Sequence, residues 1–413
     1  MREKWVIIYF FGRKKEPNMP REITKGIFWV GAKDFSLREF HGYWTTRGTT
    51  YNAYLVRGEK TALVDTVKET HFDQLLRRIE TIMSPADLDY LVVNHCELDH
   101  MGSLERLLSI ATKAKVIASA KGAEGILLHF PGLSGREITV VKPGETLDLG
   151  GITLAFYPIP MVHWPDSMAT YAVEPGVLMP NDAFGQHYAT EALFDDEAPE
   201  GLILRELQKY YASIVDLLNP VPVRKAVEAV KSLSPRIIAP SHGVIWRTRP
   251  REVLALYEAW ASGSVENKAT LVYDTMYGAT ETMAKVIEEG FEAEGVPLSV
   301  YRASVSDIQE VLADTMVSKG IIVGGPTMNN SVYPPLALFL EYLAMSARRD
   351  RLGLVFSAYG WGGGAEKDIL EYFNKAGIRP VGDPWRVRFR PTDQELSAGF
   401  EMAREFARLI KSG

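Results

Sequence analysis

Metal-binding side chains recur at the ends of apolar, strand-like runs in this sequence. The densest case is Asn94-His95-Cys96-Glu97-Leu98-Asp99-His100, directly after the run 91–93. In an extended segment alternate side chains share a face, so His95, Glu97 and Asp99 would point together. His100 follows as the chain turns toward a helix. Three further candidates sit in similar settings: His163 in Pro160-Met-Val-His-Trp-Pro-Asp-Ser167, Asp182 in Met179-Pro-Asn-Asp182, and His242 in Ala239-Pro-Ser-His-Gly243. Four imidazoles and three carboxylates suffice for two metals if one carboxylate bridges. Cys96 alternates away from the ligands and reads as a small buried hydrophobe. It is the single cysteine, which excludes an intrachain disulfide, a Cys-rich zinc site and an iron–sulfur cluster.

A second constellation lies in the C-terminal third. Tyr273-Asp-Thr-Met-Tyr-Gly-Ala-Thr280 follows a strand-like run and opens a helical one. Thr275 and Thr280 bracket a short loop with Met276, Tyr277, Gly278 and Ala279. Hydroxyls and free backbone N–H groups at a helix N-terminus suit a phosphate. No lysine follows the last glycine, so this is not the nucleotide P-loop. It resembles the flavodoxin loop for the single phosphate of FMN. Two more loops fall at the carboxyl ends of strands, where open α/β sheets bind ligands. One carries Pro326, Thr327, Met328, Asn329 and Asn330; the other carries Ser357, Ala358, Tyr359, Gly360, Trp361 and Gly362.

The elements that must position these residues differ between the two parts. All eight histidines lie between His41 and His242, and the glycine-rich loops just described all follow residue 268. The segregation predicts two domains, with a boundary in the polar stretch Ala261-Ser-Gly-Ser-Val-Glu-Asn-Lys268. The first part shows short strand patterns at 27–30, 53–56, 61–64, 90–93, 116–118, 152–158, 169–173 and 237–239, with helices at 72–83 and 103–112. The second alternates strand and helix: strands at 270–274, 298–301, 320–323, 352–356 and 386–389, helices at 281–294, 335–344, 366–374 and 394–411. Five strands alternating with helices predict a doubly wound parallel sheet.

The first part resembles the metallo-β-lactamase fold, whose hydrolases carry His-x-His-x-Asp-His in the loop at 95–100. Here Glu97 replaces the second histidine, the pattern of flavodiiron proteins, and the spacing of His163, Asp182 and His242 also matches that family. The added carboxylate hardens the site toward iron over zinc. The resemblance runs from Met19 onward and implies an α/β two-domain chain. An N-terminal metallo-β-lactamase-like αββα sandwich (residues 19–262) would precede a C-terminal flavodoxin-like FMN domain (residues 268–413). It implies that His95, Glu97 and His163 hold one iron, that Asp99, His100 and His242 hold the other, and that Asp182 bridges them. It leaves His100 open, since in some members the equivalent histidine is not a ligand. It places His41 and Tyr211 near the diiron pocket, as candidates to supply hydrogen bonds or protons, with a packing role the alternative. His71 and His187 are expected to be solvated, and His129 structural.

The function implied is an oxidoreductase that passes electrons from FMN to a diiron centre, which reduces dioxygen to water or nitric oxide to nitrous oxide. Ligands and flavin loops fall in separate domains; members of the family it resembles bring them together as head-to-tail dimers, so the resemblance implies a head-to-tail homodimer or a dimer of dimers here. The donor is expected to be external, rubredoxin or a reduced deazaflavin coenzyme, since no rubredoxin-like or NAD(P)H-oxidising segment is appended. The rivals are a binuclear zinc hydrolase fused to a flavodoxin, against which Glu97 argues, and a non-enzymatic electron carrier or oxygen sensor.

Composition agrees with a soluble protein. Hydrophobic residues make up 46% of the 413 and charged residues 24%, and a net charge of -6 argues against a nucleic-acid partner. No segment has the length and apolarity of a membrane span. A cytoplasmic location is expected. Residues 1–18 are expected to be an N-terminal extension without a functional role.

Overall fold

In the computed structural model the described residues are 19–216, 219–346 and 350–412. The expected extension, residues 1–18, lies outside them. The chain forms two compact units. One contains Met1–Ala32, Tyr51–Tyr157 and Thr170–Pro175; the other contains Lys33–Thr50, Pro158–Ala169 and Gly176–Gly413.

The first unit is organised by a seven-stranded mixed sheet. Arg21–Thr24, Ile27–Trp29, Tyr54–Arg57 and Thr61–Val64 pair antiparallel in succession. Thr61–Val64, Tyr90–Val93, Lys115–Ala118 and Ile138–Val140 then run parallel. Leu91, Val92 and Val93 are buried on both faces, which is why this strand reads as a continuous apolar run rather than an alternating one. Leu75 and Ile79 of helix Phe72–Glu80 and Leu104, Leu107 and Leu108 of helix Leu104–Ile110 pack into the same core, at helical spacing. Cys96 joins this core, and Gly125 has no Cβ because one would strike the Cys96 side chain.

The second unit contains a parallel sheet in the order Leu298–Arg302, Glu266–Tyr273, Ser318–Met328, Leu352–Tyr359, Trp385–Arg388. Numbered along the chain this order is 2-1-3-4-5, the doubly wound arrangement expected. Helices Ala279–Glu294 and Asp393–Ser412 pack together, and Gly290 allows their close approach. Helix Ile308–Val317 was not anticipated. Eight of its ten residues are buried, so it lacks the polar stripe that marks a surface helix in a sequence. Helices Glu200–Tyr210, Pro220–Leu233 and Pro250–Ala261 also escaped the sequence reading. Among the described residues no helix is long and apolar enough to cross a membrane.

Candidate metal and flavin sites

The buried strand Tyr90–Val93 delivers the first group of candidate ligands. Its end is pinned: Asn94 N donates to Asp65 Oδ1 at 2.7 Å, and Thr170 Oγ1 donates to Asn94 Oδ1 at 2.7 Å. His95 is wholly buried, with Nε2 3.2 Å from Glu97 Oε2. The extended alternation predicted for this loop ends at Glu97, because helix Leu98–Met101 begins there. Asp99 and His100 are therefore presented by a helical turn, not by a continuing strand. Thr66 fixes that turn by donating both its N–H and its hydroxyl to the His100 carbonyl, at 2.7 and 2.8 Å. His100 Nε2 lies 3.5 Å from Asp99 Oδ2, and the His95 and His100 rings are 4.9 Å apart. Ligand atoms of His95, Glu97 and His100 lie within 4.8 Å of one another.

The second unit gathers the other three, with His163 and His242 on either oxygen of the Asp182 carboxylate. Asp182 Oδ2 is 3.3 Å from His163 Nε2, and Asp182 Oδ1 is 3.2 Å from His242 Nε2. One oxygen thus faces each imidazole, the disposition a bridging carboxylate needs. The other His242 nitrogen, Nδ1, is 2.6 Å from the Thr50 carbonyl. A carbonyl only accepts, so Nδ1 carries the proton and the Nε2 lone pair faces Asp182 and any cation there.

Residues beside this group differ from expectation. The hydroxyl that reaches Asp182 belongs to Tyr210, over 2.6 Å, not to its neighbour Tyr211. Tyr211 is buried against Tyr257 and Trp260, with ring centroids 4.8 and 5.1 Å away. Successive helical residues point about 100° apart, so the two cannot share a face. Tyr211 also opens a π-helical turn, Tyr211–Val215. His187, expected to be solvated, is buried instead: Nδ1 meets Thr49 Oγ1 at 3.0 Å, and its ring is 4.8 Å from Tyr210 and 5.3 Å from His242. His41 is exposed, stacked on Phe40 at 4.0 Å and 6.4 Å from the His163 ring. His71 is half-buried beside Tyr51, and His129, expected to be structural, is exposed at the end of helix Ala120–His129. Sequence reasoning missed Tyr210 and His187 because a lone tyrosine on a helix and a lone histidine in a loop carry no pattern.

The flavin loops converge on a cavity of about 380 Å³. Its lining includes every predicted flavin residue except Gly278 and Ser357, and adds Phe389. Gly278 makes the turn instead, at φ 88, and caps helix Ala279–Glu294 without a side-chain acceptor, which leaves first-turn N–H groups for an anion. The Ser357 hydroxyl is buried on Glu366 Oε2 at 3.1 Å. Tyr277 and Trp361, 91% and 85% exposed, stand at the cavity as aromatic faces for a planar ring.

Residues 49–243 match the family described as ODP family beta lactamase, and residues 271–402 match flavodoxin. A nitric oxide reductase of Moorella thermoacetica is 41% identical over 397 residues, covering 95% of this chain and 99% of that protein. Among solved structures, rubredoxin oxygen:oxidoreductase from Desulfovibrio gigas superposes with a TM-score of 0.92 at 35% identity, covering 95% of this chain and 99% of that one. The flavodiiron protein from Giardia intestinalis gives 0.91 at 29% identity, over 100% and 98%.

The chain belongs to the flavodiiron family.

It is an oxidoreductase with a metallo-β-lactamase-like domain followed by a flavodoxin domain, and its cofactors are FMN and a non-haem diiron centre. The donor set present here fits iron: imidazoles and carboxylates are borderline-to-hard ligands, and the one soft ligand, Cys96, is turned into the core. The cavity, with its uncapped helix N-terminus and flanking aromatics, fits FMN. Its flavodiiron homologues use external electron donors and dioxygen or nitric oxide as substrates.

Proposed function

We propose that this flavodiiron protein reduces dioxygen to water, nitric oxide to nitrous oxide, or both. His95, Glu97 and His163 would hold one iron, Asp99, His100 and His242 the other, and Asp182 would bridge. The observation that carries the assignment is the Asp182 carboxylate, with one oxygen toward His163 and the other toward His242. Bound iron and flavin supply the electrons and the open coordination positions for the gas. The chain's own part is positional. Thr50 holds the tautomer of His242, Tyr210 orients Asp182, and His41 stands 6.4 Å from His163, where it can hold a proton.

Domain limits near 19–262 and 268–413 accompany this reading, with residues 1–18 dispensable. A head-to-tail homodimer, or a dimer of such dimers, would set the FMN of one subunit against the irons of its partner. A chain that stays monomeric at full activity would contradict this. Rubredoxin is the favoured donor, as the name of the Desulfovibrio gigas relative suggests, with a reduced deazaflavin coenzyme as the other.

The test begins with anaerobically purified protein. About two irons and one FMN per chain are expected, followed by consumption of dioxygen and nitric oxide with each donor. Two zincs, with iron absent even after iron-rich expression, would overturn the proposal and redirect work to ester and thioester hydrolysis.

A further inference from the structure

Strand Glu266–Tyr273 ends on Asp274, a fully buried carboxylate under the loop 275–280. Burying a charge at a strand end is costly unless donors surround it, and here they do. Oδ1 accepts from Thr275 N at 2.7 Å and from Arg302 Nε at 3.2 Å, while Oδ2 accepts from Ser304 N at 2.8 Å. The backbone of Asp274 is equally committed. Its carbonyl accepts the Thr280 hydroxyl at 2.6 Å, and its N–H donates to Gly324 O at 3.2 Å. One residue therefore ties both ends of the loop to each other, to the 302–304 segment and to the neighbouring strand.

This wiring divides the two threonines that bracket the loop. The Thr280 proton is spent on Asp274 O, so Thr280 is a clamp and not a donor to an anion. Thr275 Oγ1 accepts from Gly278 N at 2.9 Å, which leaves its own proton for the cavity. The remaining donors are the first-turn N–H groups of helix Ala279–Glu294, whose aim depends on the clamp. A buried negative charge below an anion site also repels the anion, and Arg302 offsets it.

Resting on the FMN reading, we propose that Asp274 is a positioning residue for the flavin phosphate: it holds the loop in its phosphate-binding shape and has no role toward the ring. Asp274→Asn keeps the shape of the side chain but presents an N–H₂ group to one of the N–H donors that hold the loop. The probes are FMN and riboflavin, which differ only in the phosphate, titrated into the flavin-stripped full-length chain. Asp274→Asn is expected to raise the Kd for FMN about tenfold, the effect of losing one charge-assisted hydrogen bond, and to leave riboflavin within about twofold. Thr280→Val, which removes only the clamp hydroxyl, should show the same phosphate-selective loss and serves if the first variant does not fold. Unchanged FMN affinity in either folded variant, or equal losses for both flavins, would overturn the proposal. A wild-type chain that takes up no FMN would overturn the flavin reading itself, a result visible before any variant is compared.

Discussion

The Tyr210 hydroxyl donates to Asp182 Oδ1 over 2.6 Å, with both side chains buried. The same carboxylate faces His163 and His242, so this phenol sets the rotation of the group proposed to bridge the irons. Tyr210→Phe keeps the ring packing on His187 and removes only the hydrogen bond. Iron should be lost to a chelator roughly tenfold faster, and gas turnover should fall by about the same factor. Tyr211→Phe should leave iron release unchanged, because that ring packs on Tyr257 and Trp260. Chelator-release kinetics on the two variants, read side by side, check the assignment.

Asp182→Asn tests the bridge more severely. An amide offers one acceptor oxygen and presents an N–H₂ to the second cation, so it cannot serve both metals. Iron should fall below about one per chain while FMN stays near one. Metal analysis beside flavin absorbance reads both. Two irons retained would remove Asp182 from the ligand set.

Helix Glu200–Tyr210 meets helix Ile308–Val317 through a partly buried charge cluster. Arg205 reaches Glu310 at 2.6 Å and Asp314 at 2.9 Å, and Lys209 reaches Asp307 at 3.1 Å and Glu310 at 3.2 Å. Removing one partner strands the others, so Arg205→Ala should destabilise the chain by about 1–3 kcal/mol in a urea titration at neutral pH.

The same cluster gives a pH dependence. Burial works to raise the Asp314 carboxyl, but hydrogen bonds from Tyr301 and Ser299 and the Arg205 and Lys268 cations outweigh it and hold the group below its usual range. Glu310 is likewise lowered, by Lys209 and Arg205 against burial. Groups lowered by folding contribute stability above their unfolded pKa and lose it as the pH falls through the folded value. Glu206 is raised, chiefly by burial, and acts in the opposite sense: its contribution is present below the unfolded value and lost as the pH rises through the folded one. Arg205 acts on Asp314 and Glu310 but is not among the groups that shift Glu206, so the two lowered carboxyls decide how its removal responds to pH. The stability gap between wild type and Arg205→Ala should therefore narrow below about pH 4. Urea midpoints measured from pH 7 down to pH 3 follow it; a gap that widens toward acid would refute the account.

Gly364 and Gly278 allow a paired comparison. Both have positive φ, 149 and 88. A Cβ on Gly364 would overlap the Asn330 carbonyl, which is backbone, whereas one on Gly278 meets open space. Gly278→Ala should cost about 1 kcal/mol of backbone strain, and Gly364→Ala about 2–3 kcal/mol with displacement of the 329–330 turn and loss of FMN. Thermal melts and flavin stoichiometry separate the two.

The candidate ligand loop, the loops that line the cavity and the five-stranded parallel sheet were legible because each depends on local pattern. An apolar run buried on both faces announces strand 90–93, and residue types at its end announce the chemistry. Alternating strand and helix periods announce a doubly wound parallel sheet, while its order, 2-1-3-4-5, is set by the strand pairing. Glu97 standing where the hydrolases carry histidine pointed toward iron without any coordinates. Tertiary structure decided what depends on direction. It chose Tyr210 over Tyr211, because adjacent helical side chains diverge and only one can face Asp182. It buried His187 beside His242 when nothing near it in the chain required burial. It placed Asp99 and His100 on a helical turn, held by Thr66 from a distant strand end. It made Asp274 a clamp under the phosphate loop, through donors at 302 and 304 that the sequence separates by nearly thirty positions. Side-chain type is local information, but the partner a side chain finds is set by packing between segments far apart in the chain.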